Sequence, residues 1–113
     1  MSLHEDRVRL RHMLDNAKEA LALVQGKRRS DLDSNRLLGL GLVRLLEIVG
    51  EAANRITPET QSRYPSIPWR QIIGLRNRLI HGYDDVDMDL LWVILTDDLP
   101  DLIIQLESAM NQR

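Results

Sequence analysis

The sequence predicts an all-α protein, and three observations carry that reading. Twenty of the 113 residues are Leu, and with the Ala, Glu and Arg content this makes a helix-favouring composition. Apolar residues recur at spacings of three and four along most of the chain, the period of a helix face. No segment alternates apolar and polar residues as a half-buried strand does. The length suits one domain, residues 1–113, built on a single core.

The first helix is expected from about His4 to Gln25, with Leu10, Leu14, Ala17, Leu21 and Val24 on one face and Gly26 as its stop. Lys27-Arg28-Arg29 then reads as a solvated turn, with phosphate binding as the alternative. A second helix opens at Ser30-Asp31 and extends to about Ile56 along Leu38, Leu42, Leu45, Val49, Ala52 and Ile56. Leu37, Leu40 and Ile48 fall on another side, so this helix is expected to be covered on more than one face. Gly costs about 1 kcal/mol relative to Ala in a helix interior, so Gly39, Gly41 and Gly50 are expected to serve close helix approach. Glu47, Glu51 and Arg55 form an i, i+4 series that reads as surface pairing.

Thr57-Pro58-Glu59 starts a short connecting helix, which Tyr64-Pro65-Ser66-Ile67-Pro68 ends. The next helix is expected from Trp69 to about His81, closed by Gly82 and the acidic run Asp84-Asp85-Val86-Asp87. The last covers about Met88 to Asn111, with Leu91, Leu95, Leu99, Leu102, Leu106 and Met110 on one stripe. Pro100 is expected to kink it, because Pro lacks the N–H that would bond to Thr96. The sum is an up-and-down bundle of four main helices plus a short connecting one.

Composition removes several classes of function. A net charge of −2 argues against a general, electrostatically driven DNA binder. Two Trp, two Tyr and no Phe are too few for a base-stacking sheet. Without Cys there is no disulfide framework, thiolate metal site or thiol nucleophile. No apolar run approaches the ~18 residues that cross a bilayer, and Met1-Ser2-Leu3-His4-Glu5-Asp6 is charged and lacks the apolar stretch of a signal peptide. A soluble, cytoplasmic protein is expected. His4, His12 and His81 show no metal-ligand spacing and no Glu-x-x-His pair exists, so no metal site is expected. Phosphate-binding glycine loops and a G-x-S-x-G nucleophile are absent from the sequence as well.

One helix breaks its own pattern. At about 100° per residue, Trp69, Ile72, Ile73, Leu79, Ile80 and Tyr83 fall within roughly 60° of Arg76. That puts a cation that cannot be neutralised at the centre of an apolar stripe, while Arg70, Gln71, Asn77 and Arg78 lie on the polar side. Arg76 must be ion-paired, with Glu47 or Glu51 as available partners, or face a cleft or a subunit interface where it can bind phosphate. His81 lies about 140° from Arg76 on a straight helix. The two converge on one ligand only if the helix ends or bends near His81, or if two chains supply them. Taken alone, His81 also fits an ordinary surface histidine.

Arg76-Asn77-Arg78-Leu79-Ile80-His81-Gly82-Tyr83 resembles the R-x4-H-x-Y motif of HEPN-domain toxins, and most closely the HepT branch. The resemblance extends to Ile48-Val49-Gly50-Glu51-Ala52-Ala53, Tyr64-Pro65-x-Ile67-Pro68-Trp69, Gly74-Leu75-Arg76-Asn77, and Val86-Asp87 followed by Trp92. Arg-x4-His alone is a weak signal; the series in this order is specific. The resemblance implies a HEPN-type helical bundle that forms a homodimer with the two Arg–His motifs meeting at the interface. It implies a metal-independent endoribonuclease toxin without a cofactor, paired with a nucleotidyltransferase antitoxin that silences it by transferring AMP to the motif tyrosine. By position, Arg76 and His81 would be catalytic, Asn77 supporting, and Tyr83 the acceptor of AMP.

That chemistry suits the residue types. When an RNA 2′-hydroxyl attacks the adjacent phosphate, a base that works near neutral pH is needed, and His is the natural one. Arg offers a fixed fork of donors to the phosphorane oxygens. Asp84, Asp85 and Asp87 sit beside this motif and would repel an RNA backbone. Two other classes remain open: a non-catalytic helical dimerisation module that binds a nucleotide or the nucleotidyltransferase, and a structural bundle in which Arg76 is only ion-paired.

Overall fold

The apolar faces read from the sequence close on one another as helices. The computed structural model describes residues 3–83 and 85–112. In order these form α1 (Leu3–Val24), α2 (Asp31–Ser34), α3 (Arg36–Arg55), α4 (Pro58–Arg63), α5 (Trp69–Ile73), α6 (Leu75–Leu79), α7 (Met88–Val93), a π-helical turn (Ile94–Asp98) and α8 (Leu99–Asn111). Among the described residues the only extended pairing is one antiparallel bridge, Ile80 with Val86. The all-α expectation holds.

The long helices α1 and α3 pack together, and α8 lies against α1. Leu10, Met13, Leu14, Ala17, Leu42, Leu46, Val49, Leu91, Leu95, Leu99 and Leu106 are buried in one shared core. Burying a large aliphatic side chain of this kind contributes about 1.5–3 kcal/mol, and the buried set draws on α1, α3, α7, the π turn and α8 together. Gly26 ends the first helix in the left-handed region, at φ 73°, where a Cβ is strained.

Several boundaries differ from the sequence reading. The expected helix over residues 30–56 is two helices, because the Asn35 backbone is extended and its side chain accepts the Leu38 N–H to cap α3. Gly50 and Gly39 serve close approach as expected. A Cβ on Gly50 would lie 2.8 Å from the Ile72 carbonyl oxygen of α5, and one on Gly39 would lie 3.2 Å from Met88 Cε. Gly41 faces open space and approaches nothing. Glu51 pairs with Arg44 at 3.3 Å, and Glu47 reaches across to Arg76, so both acids turn from the expected Arg55 series. Arg29 bonds Asp33 and Asp89 at 3.0 and 2.8 Å; both carboxylates raise its pKa despite slight desolvation, and it ties α2 to α7.

The disturbance expected at Pro100 lies one turn earlier. Leu99 N–H bonds the Ile94 carbonyl, five residues back, and Pro100 then sits in the first turn of α8. A proline ring crowds the carbonyl four residues before it, and the wider π turn makes room.

A polar cluster locks the start of α1 to α4. Asp6 is buried at 2% exposure. Its Oδ2 accepts the Thr57 and Thr60 hydroxyls, both at 2.6 Å, and its Oδ1 accepts the Thr57 N–H at 3.2 Å. Thr57 is itself the N-cap of α4. Among the described residues, no buried side-chain nitrogen or oxygen lacks a partner.

Candidate active site

The segment that carries the sequence motif is not one helix. Gly74 separates α5 from α6, and α6 stops at Leu79. Gly74 N–H bonds the Arg70 carbonyl and Arg78 N–H bonds the Gly74 carbonyl, so Gly74 keeps both of its own backbone hydrogen bonds at the break. Ile72, Leu75 and Leu79 are buried and hold α5 and α6 against α3.

This corrects the position of Arg76. It does not sit in an apolar face: its side chain is 68% exposed. The break at Gly74 and the end at Leu79 replace the straight-helix stripe on which the angular estimate relied. Arg76 Nε lies 3.4 Å from Oε2 of Glu47, whose side chain is 18% exposed. An ion pair thus fixes the inner edge of the guanidinium, and the exposed side chain carries its remaining N–H donors. Glu47 was one of the two partners named from sequence; the other, Glu51, pairs elsewhere. Arg76 and Asn77 border a pocket of about 190 Å³ with Glu47, Gly50, Glu51, Asn54 and Ile73. Asn77 is exposed. Arg78 turns away, toward a separate cavity of about 340 Å³ whose lining includes Asp97, Asp98 and Asp101.

His81 lies beyond the helix end. Ile80 is the extended C-cap of α6, and the chain doubles back so that Ile80 pairs with Val86. His81 N–H donates to the Asp85 carbonyl and Asp87 N–H to the Leu79 carbonyl, each at 2.8 Å. The sequence condition for bringing His81 toward Arg76, an early helix end, is therefore met. No hydrogen bond or ion pair joins the two among the described residues. His81 Nε2 instead faces Asp87 Oδ2 at 4.0 Å, and both side chains are open to solvent.

Tyr83 is fully exposed and lies in the turn after α6. The expectation that it shares a helix side with Arg76 fails for the same reason, since the helix has already ended. Asp84, half of the acidic pair read from sequence, lies outside the described residues, while Asp85 is exposed. Sequence reading missed the Asp87 carboxylate as a neighbour of His81. The available signal was an Asp three residues before Leu90, an N-cap pattern. Among the described residues no group of three or more His, Asp or Glu is placed to hold a metal ion, and no helix is long and apolar enough to cross a membrane.

Comparison with known proteins gives a consistent answer. A family model described as Ribonuclease HepT-like matches residues 13–109. A Methanocaldococcus jannaschii protein named "Putative RNase MJ1380" is 31% identical over 107 residues, spanning 95% of this chain and 98% of the relative. One named "Probable ribonuclease HepT" from Thermococcus cleftensis is 33% identical over 93 residues, spanning 79% and 84%. "Putative RNase TTE0752" from Caldanaerobacter subterraneus subsp. tengcongensis is 29% identical over 103 residues, spanning 91% and 92%. No solved structure matches.

Proposed function

Because the chain belongs to the Ribonuclease HepT-like family, we propose that it is the ribonuclease toxin of a toxin–antitoxin pair, a metal-independent endoribonuclease working through Arg76 and His81. The observation that carries this reading is local. The motif arginine is paired at one edge with Glu47 while most of its side chain is exposed, and the motif histidine is released from the helix into an exposed turn immediately after it.

In the proposed reaction His81 accepts the proton of an RNA 2′-hydroxyl. The 2′-oxygen attacks phosphorus, the bond to the 5′-oxygen breaks, and a 2′,3′-cyclic phosphate and a 5′-hydroxyl result. Arg76 stabilises the non-bridging oxygens as negative charge builds on them, and Asn77 adds a polar contact beside it. The leaving oxygen takes a proton from a second His81, supplied by the other copy in a homodimer. General acid–base chemistry of this kind contributes about 10²- to 10⁴-fold.

The full exposure of Tyr83 suits an acceptor that a nucleotidyltransferase antitoxin must reach. Its phenolic oxygen attacks the α-phosphorus of ATP, pyrophosphate leaves, and the new AMP group carries negative charge into the motif. RNA is then excluded by bulk and by like charge.

The test is the chemistry of the ends. Purified protein free of AMP, incubated with RNA in EDTA, is expected to leave 2′,3′-cyclic phosphate and 5′-hydroxyl termini. Ends of 5′-phosphate and 3′-hydroxyl would overturn the mechanism. The second reading, a non-catalytic module that binds a nucleotide or the nucleotidyltransferase, is favoured by one observation. Asp85 and Asp87 stand beside His81, where they repel a phosphate backbone. Absence of cleavage together with a stable complex with the nucleotidyltransferase would select it.

A further inference from the structure

Asp87 is more firmly held than a helix cap requires. Its Oδ1 accepts the Leu90 N–H at 3.0 Å, its carbonyl accepts the Leu91 N–H at 2.9 Å, and its own N–H donates to the Leu79 carbonyl at 2.8 Å. Capping α7 uses one carboxylate oxygen. The other, Oδ2, faces His81 Nε2 at 4.0 Å. The two residues are held opposite each other by the Ile80–Val86 bridge and by the bond from His81 N–H to the Asp85 carbonyl. One short reverse turn thus sets both ends of the pair, and α7 anchors the carboxylate side.

We propose that Asp87 is a positioning residue for His81: its Oδ2 receives the Nε2 side of the ring and fixes the ring's orientation, leaving Nδ1 as the nitrogen that meets the substrate hydroxyl. A carboxylate behind an imidazole sets which nitrogen carries the proton and which is free to act as base. At 4.0 Å the contact is an ion pair at its outer limit. The acidic residue thus has a use in catalysis, although it works against RNA binding by simple charge. This inference rests on the proposed ribonuclease reading for its kinetic consequence but not for the pairing itself.

The informative variant is Asp87→Asn. Asn caps a helix as well as Asp does, so α7 keeps its start, but the variant presents no charged acceptor to His81. The first readout needs no activity. In the full-length protein, the Leu90 amide resonance, bonded to the same carboxylate, is expected to move as His81 is protonated. That response is expected to disappear in Asp87→Asn and in His81→Ala. The second readout is cleavage. In Asp87→Asn kcat is expected to fall about tenfold or more, part of the general-base contribution, with KM for RNA not raised and the melting temperature unchanged. Asp87→Ala, which also loses the cap, is expected to lower the melting temperature as well. A Leu90 amide indifferent to His81 in the wild type would overturn the proposal. So would wild-type kcat in Asp87→Asn. If the wild type cleaves no RNA, the ribonuclease reading fails, while the Leu90 response still decides whether the pair exists.

Discussion

Asp6→Ala is expected to destabilise the protein by about 3 kcal/mol, although Asp6 lies far in sequence from the motif. Asp6 is 2% exposed, and its carboxylate accepts three hydrogen bonds from Thr57 and Thr60. Removing it leaves a buried Thr60 hydroxyl and the half-buried Thr57 amide without acceptors, while the Thr57 hydroxyl keeps only the Thr60 oxygen at 3.3 Å. Each such group costs about 1–3 kcal/mol when fully buried, and water entering the vacated space reduces the sum, which gives the figure of about 3. For a chain of this size that corresponds to a fall in Tm of roughly 12 °C. The same cluster gives a pH signature. Burial, the largest single effect, raises the Asp6 pKa, but the Thr57 and Thr60 hydroxyls, the Thr57 amide and Arg9 together hold it below its ordinary value of 3.8. A folded pKa below the unfolded one means that the unfolded chain binds the proton more readily. The stabilisation is therefore complete above the unfolded value and is lost as pH falls through the folded one. Thermal and urea unfolding of wild type, Asp6→Asn and Asp6→Ala from about pH 7 to pH 2 tests this. The gap between wild type and Asp6→Asn is expected to narrow as the solution becomes acidic. A loss below about 1 kcal/mol in Asp6→Ala, or a gap independent of pH, would refute the reasoning.

Three further outcomes follow from other contacts. Gly50→Ala is expected to destabilise by about 1–3 kcal/mol through overpacking, because its Cβ would meet the rigid Ile72 carbonyl at 2.8 Å; denaturant unfolding measures it, and Gly41→Ala, which meets nothing, serves as the control. Glu47→Gln is expected to change stability by less than about 1 kcal/mol, since its partner is exposed, yet to lower kcat by freeing the Arg76 fork; unchanged kcat would show that the pair does not orient Arg76. Tyr83→Phe is expected to fold and cleave as wild type but to take up no AMP from the nucleotidyltransferase and ATP, as mass spectrometry would show.

The long helices were legible because burial of one face leaves a spacing of three and four: the buried Leu10, Leu14 and Val24 and the buried Leu42, Leu45 and Val49 stand where the periodicity puts them. The breaks were less legible. Asn35 and Gly74 interrupt helices whose apolar pattern runs on across them, because tertiary contacts, not periodicity, decide where a chain turns. Arg76 shows the consequence. Its place on an apolar stripe followed from extending one helix to His81, and the turn at Gly74 and the end at Leu79 put it in solvent beside Glu47. The pairing with Glu47 was readable as chemistry, since a cation among apolar residues needs an anion. Asp6 left a fainter trace: it falls four residues before Leu10 on the buried side of α1, and its Thr57 and Thr60 partners lie 51 and 54 residues away. Asp87 was read only as part of an acidic run: Gly82 marked where the helix closes and the spacing to Leu90 marked a cap, but neither pattern shows the Ile80–Val86 pairing that brings the carboxylate opposite His81.

The most direct test of the central claim is RNA cleavage in EDTA by purified protein shown by mass to carry no AMP, beside Arg76→Ala and His81→Ala variants with wild-type circular dichroism. Both side chains are exposed, so both variants are expected to fold. The account predicts cleavage by the wild type and its loss in each variant. Cleavage that survives in both folded variants would contradict the assignment of the motif as the active site, and no cleavage of any RNA by the unmodified wild type would contradict the enzyme itself.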